Sequence, residues 1–117
     1  MVLILGGLGA GKREYARSLG FSDADFSTDV SDGKPVLYDL ETIVRSADVP
    51  LDALLQKKLV LCREVGSGVI PFDPKEREWR EAVGRLCCAL AKEATAVVRV
   101  VCGVPIVLKG ELPCMSD

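Results

Sequence analysis

The chain has 117 residues, of which 49% are apolar and 27% charged, and its net charge is −2 at pH 7. This composition is typical of a soluble globular domain, and the length suffices for one hydrophobic core. The slightly acidic balance excludes the basic surface expected of a protein that binds nucleic acid or an anionic membrane, so neither is an expected partner.

The first half of the chain alternates short apolar runs with segments of helical pattern, which predicts buried strands connected through helices. The segment between the first helix and the second strand is rich in Ser, Asp and Gly and predicts a connecting loop. The expected elements are, in chain order, a strand over 2–6, a helix over 12–19, a loop over 20–35, a strand over 36–39, and helices over 40–47 and 50–56.

The second half contains the clearest helix, which follows a strand over 57–62 and a glycine-punctuated loop over 64–71. Asp73 can cap this helix, Pro74 suits its first position, and Glu76 predicts a capping box. Its core-facing stripe is expected to consist of Trp79, Val83, Leu86 and Leu90. A strand over 96–102, a turn over 103–105 and a strand over 106–108 complete the pattern.

The alternation of strands and helices predicts an α/β fold, P-loop NTPase-like, with a mainly parallel sheet flanked by helices. The final turn is too short for a parallel crossover, so the C-terminal pair should be an antiparallel edge hairpin. We expect one domain over 1–112 and a frayed tail over 113–117. Ligands bind at the carboxyl ends of strands in such sheets, where residues 6–13, Asp39 and residues 64–71 should gather.

A glycine-rich loop follows the first strand and has the spacing G-x-x-x-x-G-K of a phosphate-binding loop, from Gly6 to Lys12. Glycines let backbone N–H groups turn toward phosphate oxygens, and the lysine adds a positive charge. The alternative is a plain glycine-rich turn between strand and helix. The predicted nucleotide-binding residues are Gly6, Gly7, Leu8, Gly9, Ala10, Gly11, Lys12 and Arg13.

Two residues decide what chemistry such a loop supports. The position after the lysine should carry a hydroxyl that holds Mg²⁺, but here it is Arg13. Its guanidinium could neutralise phosphate oxygens or turn outward to solvent, and in both cases metal-assisted phosphoryl transfer is weakened. Asp39 ends the second strand and fits either a Walker-B acid that binds Mg²⁺ or a helix N-cap, and it could serve as both.

Four segments together resemble the bifunctional adenosylcobinamide kinase/adenosylcobinamide-phosphate guanylyltransferases of cobalamin biosynthesis. Residues 6–13, followed by Tyr15-Ala16, are similar to that family's GGxRSGKS loop and its Tyr-Ala. Residues 63–71 resemble N-E-V-G-x-G-I-V-P, the most specific of the four. Residues 79–91 resemble F-R-D-x-x-G-R-x-N-Q-x-L-A, and residues 101–109 resemble V-x-G-I/V-P-x-x-L-K.

The resemblance implies a site for GTP or ATP at residues 6–13, with Lys12 and Asp39 as catalytic residues and Asp39 as the Mg²⁺ ligand. Members of the family phosphorylate a hydroxyl of cobinamide and then transfer GMP through a guanylyl-histidine. The resemblance therefore also implies a corrinoid partner. The family's subunits form trimers, which implies a homo-oligomer here.

Departures from the family pattern limit this expectation. The chain contains no histidine, so the guanylyl-histidine of the family mechanism is excluded. The loop over 20–35 is too short for the region that carries that histidine in the family. Three hypotheses follow: a nucleotide-binding protein that is a kinase-like phosphotransferase if active, a non-catalytic nucleotide sensor or assembly subunit, and an interaction module without a ligand.

The cysteines and the N-terminus bear on location. The five cysteines form no C-x-x-C pair and no histidine accompanies them, so a zinc site is not expected. Residues 1–5 lack the basic region of a signal peptide, and no apolar run approaches the ~18 residues of a membrane span. These features predict a cytoplasmic protein with reduced thiols.

Overall fold

A computed structural model describes residues 1–65 and 72–111. The helices and strands of these residues are β1 Val2–Gly6, α1 Lys12–Ser18, a 3₁₀ turn Asp23–Asp25, β2 Phe26–Ser27, β3 Val36–Leu37, α2 Leu40–Ser46, α3 Leu51–Leu55, β4 Leu59–Arg63, α4 Pro74–Glu93, β5 Ala96–Val101 and β6 Val104–Lys109. Most of the predicted glycine loop, residues 66–71, and the predicted tail lie outside the described residues. Within the described ranges no helix is long and apolar enough to cross a bilayer.

The strands form one sheet in the order β2-β3-β4-β1-β5-β6. Every neighbouring pair is parallel except β5 and β6, which are antiparallel. The predicted α/β class, with a mainly parallel sheet and an antiparallel edge hairpin, is confirmed. Because β1 lies between β4 and β5, the loop that follows it opens near the middle of the sheet.

Helices cover both faces of the sheet, which explains why β1 reads as an unbroken apolar run. Successive side chains of a strand point to opposite faces. Leu3 packs in the core beneath α2, α3 and α4, whereas Val2 and Ile4 pack in the core beneath α1. Leu3 and Ile4 are fully buried, and each such burial contributes roughly 1.5–3 kcal/mol.

The long helix α4 begins as the sequence predicts, with one exception. The Asp73 carboxylate accepts a hydrogen bond from the Lys75 N–H at 2.9 Å, and Pro74 opens the helix. The expected apolar stripe is confirmed, since Val83 and Leu90 are buried while Trp79 and Leu86 pack against the core. The predicted capping box is wrong, because the Glu76 carboxylate instead accepts two hydrogen bonds from Arg45 on α2.

Two connections differ from the sequence prediction. The segment expected to be a loop over 20–35 contains the 3₁₀ turn and β2, which adds a sixth strand parallel to β3. A two-residue strand is too short to show periodicity, so its pairing depends on β3 alone. The hairpin turn is Cys102-Gly103, both with positive φ, rather than residues 103–105. Such backbone angles at two central residues are those of a tight type I′ hairpin.

The cysteines act mostly as the sequence predicts. Cys87 faces the core, where its sulfur lies 3.6 Å from that of Cys62, while Cys88 is exposed. The contact with Cys87, together with burial, raises the pKa of the Cys62 thiol. Cys62 therefore stays protonated and packs as a small apolar side chain.

Candidate functional site

The loop after β1 has a shape that glycine alone permits at two positions. Gly11 has a φ of +97°, in the left-handed region, and a Cβ there would lie 3.2 Å from the Gly103 Cα. A Cβ on Gly6 would lie 2.9 Å from the backbone oxygen of Val100. Larger residues at Gly6 or Gly11 would therefore push the loop away from β5 and from the hairpin turn.

The hairpin turn supports the loop directly. The Gly103 N–H donates to the Ala10 carbonyl at 2.8 Å, and within the loop the Ala10 N–H donates to the Gly7 carbonyl at 3.2 Å. Sequence reasoning did not anticipate that the C-terminal hairpin buttresses the loop. The signal available for it was the resemblance of residues 101–109 to the final hairpin of the family.

Lys12 lies over the loop rather than extending into solvent. Its ammonium donates to the Gly6 carbonyl at 3.1 Å and to the Gly7 carbonyl at 3.0 Å. The positive charge is thereby held above the backbone of the glycine loop. In phosphate-binding loops the lysine at this position reaches the phosphates that the loop N–H groups hold.

Asp39 directs its carboxylate toward the loop. The residue stands at the N-cap position of α2 with a left-handed backbone, φ 54° and ψ 38°, yet its side chain makes no capping hydrogen bond. The Oδ2 atom instead lies 3.4 Å from Nη2 of Arg13. A left-handed conformation is uncommon outside glycine, and residues that hold one are concentrated at functional sites.

Arg13 turns toward the cleft, which decides between the two orientations that the sequence left open. Its guanidinium carbon lies 4.2 Å from the centroid of the Tyr38 ring, within the range of a cation–π interaction. Both members of the Arg13–Asp39 pair are nearly half exposed. The ring and the carboxylate together hold this cation beside the loop.

These groups line a cleft of about 260 Å³ beside the loop and α1. The lining residues are Leu8, Gly9, Ala10, Gly11, Lys12, Arg13, Glu14, Tyr38, Asp39, Glu41, Leu61 and Arg63. All predicted site residues are therefore brought together here except Gly6, which underlies the loop, and Gly7. Gly7 lines a second cleft of about 350 Å³ on the hairpin side of the loop, together with the Glu64–Arg99 ion pair.

Five residues of the first cleft were missed by sequence reasoning: Glu14, Tyr38, Glu41, Leu61 and Arg63. Tyr38 directly precedes Asp39, so its position next to a predicted site residue was the signal available for it. Glu41 fixes the start of α2, because its Oε1 accepts the Arg63 N–H at 2.9 Å and its carbonyl accepts the Trp79 indole N–H at 2.7 Å. The backbone that carries Asp39 is thereby tied to β4 and α4.

A sequence model of the family described as cobinamide kinase / cobinamide phosphate guanyltransferase matches residues 37–108, more than half of the chain. The chain belongs to this family. The membership confirms the resemblance seen in the sequence. No curated protein matches the chain.

The family match and the site geometry cover different parts of the cleft. The matched residues include Tyr38, Asp39 and Arg63 as well as the hairpin that supports the loop. The glycine loop precedes the match, so its interpretation depends on its strand–loop–helix geometry and on Lys12. The membership links this protein to the nucleotide-dependent chemistry on cobinamide for which the family is named.

The cleft is a poor fit for the Mg²⁺ that accompanies nucleotides in such sites. Mg²⁺ demands near-octahedral coordination by oxygen atoms, but position 13 contributes a guanidinium instead of a hydroxyl. The Asp39 carboxylate already faces that cation, and the described residues contain no group of three side chains suited to a metal. The donor set favours a guanidinium–carboxylate pair over a metal, and Asp39 as a Mg²⁺ ligand stays a prediction.

Proposed function

We propose that this family member binds a purine nucleotide, GTP or ATP, with its phosphates on the loop over residues 6–13. The observation that carries the proposal is the convergence of Lys12 and Arg13 on one cleft at the carboxyl ends of β1 and β3. Two cations and the N–H groups of a glycine loop match the charge and the acceptor oxygens of a polyphosphate. Outside the loop the cleft is also lined by Arg63 and by the carboxylates of Glu14, Asp39 and Glu41.

Lys12 contacts the phosphates in this proposal, and its ammonium already lies beside the loop that holds them. Its ammonium occupies the carbonyls of Gly6 and Gly7, and we expect it to exchange them for phosphate oxygens when a nucleotide arrives. A hydrogen bond to a charged group contributes about 1.5–3 kcal/mol. Losing this contact should therefore weaken binding about tenfold to a hundredfold.

Isothermal titration calorimetry with GTP and with ATP tests the proposal. Lys12→Ala should weaken binding at least about tenfold, whereas Lys58→Ala should leave it unchanged. Lys58 is exposed and directly precedes β4, at the amino end of the parallel strands and away from the cleft at their carboxyl ends. It is therefore a matched control for loss of one surface charge. Failure of both nucleotides to bind at millimolar concentration would contradict the proposal, and so would equal affinities for the two variants.

We also propose that guanylyl transfer through a histidine has been lost, because the chain contains none. Incubation with GTP labelled at the α-phosphate should leave no acid-labile label on the protein. A covalent GMP adduct of that stability would contradict this part of the proposal. Corrinoid binding is proposed from the family name alone, and cobinamide is the ligand to test first.

A non-catalytic nucleotide sensor or assembly subunit is the second candidate. The observation that favours it is Arg13, which stands where a hydroxyl is needed and contacts Asp39. Such a protein binds nucleotide without turnover, and Arg13→Ser should not create phosphoryl transfer to cobinamide. Formation of cobinamide phosphate by the wild-type protein, detected by mass spectrometry, would establish the kinase-like candidate instead.

A homo-oligomer, a trimer by resemblance to the family, is proposed as the working assembly. The edge strand β6 supports it, since Val104, Ile106 and Leu108 are all at least 45% exposed. Contiguous exposed apolar side chains favour association. Light scattering coupled to size exclusion should report a multiple of the chain mass, and Ile106→Glu should reduce it. A wild-type mass of one chain would contradict the assembly.

A cytoplasmic location is proposed on the state of the thiols. Cys62, Cys87, Cys88 and Cys102 are all free, and free thiols persist where the compartment is reducing. Cell fractionation should recover the protein with cytoplasmic markers, and recovery in an oxidising compartment would contradict this.

A further inference from the structure

Arg13 lies beside the Asp39 carboxylate that the sequence predicts as a Mg²⁺ ligand. Its Nη2 atom lies 3.4 Å from the carboxylate, and its guanidinium plane lies against Tyr38. A divalent cation beside Asp39 would therefore meet a fixed positive charge at short range. Arg13 would have to leave both partners before a metal could replace it.

The Arg13–Asp39 contact leaves the guanidinium largely available to a ligand. A single hydrogen bond of 3.4 Å is long for a charge-assisted contact, which normally lies near 2.7–2.9 Å. A guanidinium has five N–H donors, and among the described residues Asp39 is the one hydrogen-bond partner of Arg13. The remaining donors belong to a side chain that lines the cleft.

The chemistry of a guanidinium suits the task of a metal at a polyphosphate. It stays charged at all physiological pH values, and its planar fork donates two parallel hydrogen bonds to phosphate oxygens. A metal ion at the same place would neutralise the same oxygens. The two are alternatives for one position rather than partners.

We propose that the Arg13 guanidinium takes the place of Mg²⁺, so that this protein binds its nucleotide as the metal-free polyphosphate. Asp39 then orients Arg13 as a positioning residue and ligates no metal. The inference rests on the proposed nucleotide site, since it assigns the phosphates to the same loop. It names the ligand class as the free nucleoside polyphosphate rather than its magnesium complex.

The test is calorimetric titration of GTP and ATP in EDTA and in excess Mg²⁺. The wild-type protein should bind in EDTA at least as tightly as in Mg²⁺. Arg13→Ser should weaken binding in EDTA about tenfold or more, because a charge-assisted contact is lost. It should also make Mg²⁺ favourable, since the serine hydroxyl completes the usual pattern.

Arg17→Ser is the matched control for that variant. Arg17 lies one turn further along α1, stacks over Phe26 and pairs with Asp23 at 2.7 Å, and it is not among the residues that line the cleft. The control removes the same charge from the same helix, so its affinity should equal that of the wild type. Circular dichroism of each variant reports whether the fold is retained.

Asp39→Asn tests whether that carboxylate positions Arg13 or ligates a metal. Asparagine also tolerates a left-handed backbone, so the start of α2 should be preserved. The asparagine amide oxygen can still accept a hydrogen bond from Arg13, so the positioning contact is kept. Because only the negative charge beside the phosphates is removed, binding in EDTA should tighten about twofold to fivefold. A metal ligand would behave in the opposite way, with weaker binding that appears only in Mg²⁺.

The outcomes separate this inference from the function on which it rests. Absence of binding in both EDTA and Mg²⁺ would overturn the nucleotide site itself. Wild-type binding that requires Mg²⁺ would overturn the inference and leave the nucleotide site standing. Equal affinities of Arg13→Ser and the wild type in EDTA would also overturn the inference.

Discussion

Two arginines of this protein meet the same kinds of partner, an aromatic ring and a carboxylate, with different geometry. Arg45 lies 3.7 Å from the centroid of the Trp79 ring and donates two hydrogen bonds, of 2.9 and 3.0 Å, to Glu76. Arg13 lies 4.2 Å from the centroid of the Tyr38 ring and makes one contact of 3.4 Å with Asp39. The first arrangement is a bidentate pair with two short hydrogen bonds, and the second is a single long contact of an arginine that lines a cleft.

Under the proposed function, this difference assigns Arg45 to stabilising the fold and Arg13 to binding the ligand. Arg45 joins α2 to α4, and the paired hydrogen bonds raise the pKa of Arg45 and lower the pKa of Glu76. Arg13 joins the glycine loop to the segment that follows β3, where a closed bidentate pair would leave fewer guanidinium donors for a phosphate. The long Arg13–Asp39 contact is therefore suited to exchange for a phosphate, whereas the short Arg45–Glu76 hydrogen bonds are suited to holding α2 and α4 together.

The largest expected effect on stability comes from removing the two aromatic rings, of Trp79 and Tyr38, against which the arginines lie. Trp79 packs against the core and its indole N–H donates to the Glu41 carbonyl, so Trp79→Ala should lower the free energy of unfolding by about 3 kcal/mol. Tyr38→Ala should cost less, about 1 kcal/mol. Urea denaturation measures both. Equal losses would show that the two arrangements have the same structural importance.

Substitution of the arginines themselves should separate stability from binding. Arg45→Met should lower the urea midpoint and leave the affinity for GTP unchanged. Arg13→Met should leave the midpoint nearly unchanged and weaken GTP binding about tenfold in EDTA. An Arg45→Met variant that loses as much affinity as Arg13→Met would break the comparison.

The smallest effect is the pH dependence of the Arg45–Glu76 pair. Because Arg45 lowers the pKa of Glu76 in the folded protein, the pair stabilises the fold above the unfolded pKa of about 4.3. That stabilisation is lost as the pH falls through the folded pKa. The stability difference between wild type and Glu76→Gln should therefore be full at pH 7 and shrink below about pH 4.

A difference between these two proteins that stays constant down to pH 3 would contradict the role assigned to this pair. Glu81→Gln is a suitable control, since Glu81 pairs with Arg85 at 3.9 Å on the exposed face of α4. Its substitution should change the stability little, as is usual for exposed pairs within one helix.

The regular parts of the fold could be predicted from local pattern. The apolar run of β1, the glycines after it and the cap of α4 each carry their signal within a few residues. β2 carries no such signal, because its two residues are ordered by pairing with β3. The sequence also predicted a local partner for Glu76, but Arg45, 31 residues away, provides two hydrogen bonds instead.

In the candidate site, too, features with a local signal could be predicted, and contacts between residues far apart in the chain could not. The loop residues and Asp39 could be named from spacing, and the orientation of Arg13 could not. That orientation depends on Tyr38 and Asp39, which lie 25 and 26 residues further along the chain and reach the loop only once β3 has paired with β4. The contact of Gly103 with Ala10 likewise depends on strand pairing, of β5 with β1, and its one signal in the sequence was the resemblance of residues 101–109 to the final hairpin of the family.

A two-dimensional amide NMR titration with GTP tests the central claim, that the loop over residues 6–13 holds the nucleotide phosphates. If the loop holds the phosphates, shift changes will be concentrated in Gly7 to Arg13 and in Tyr38 and Asp39. The indole N–H of Trp79, the one tryptophan of the chain, should stay in place as an internal control. Unchanged loop amides at saturating GTP, or changes centred on Trp79 and α4, would show that the phosphates bind elsewhere.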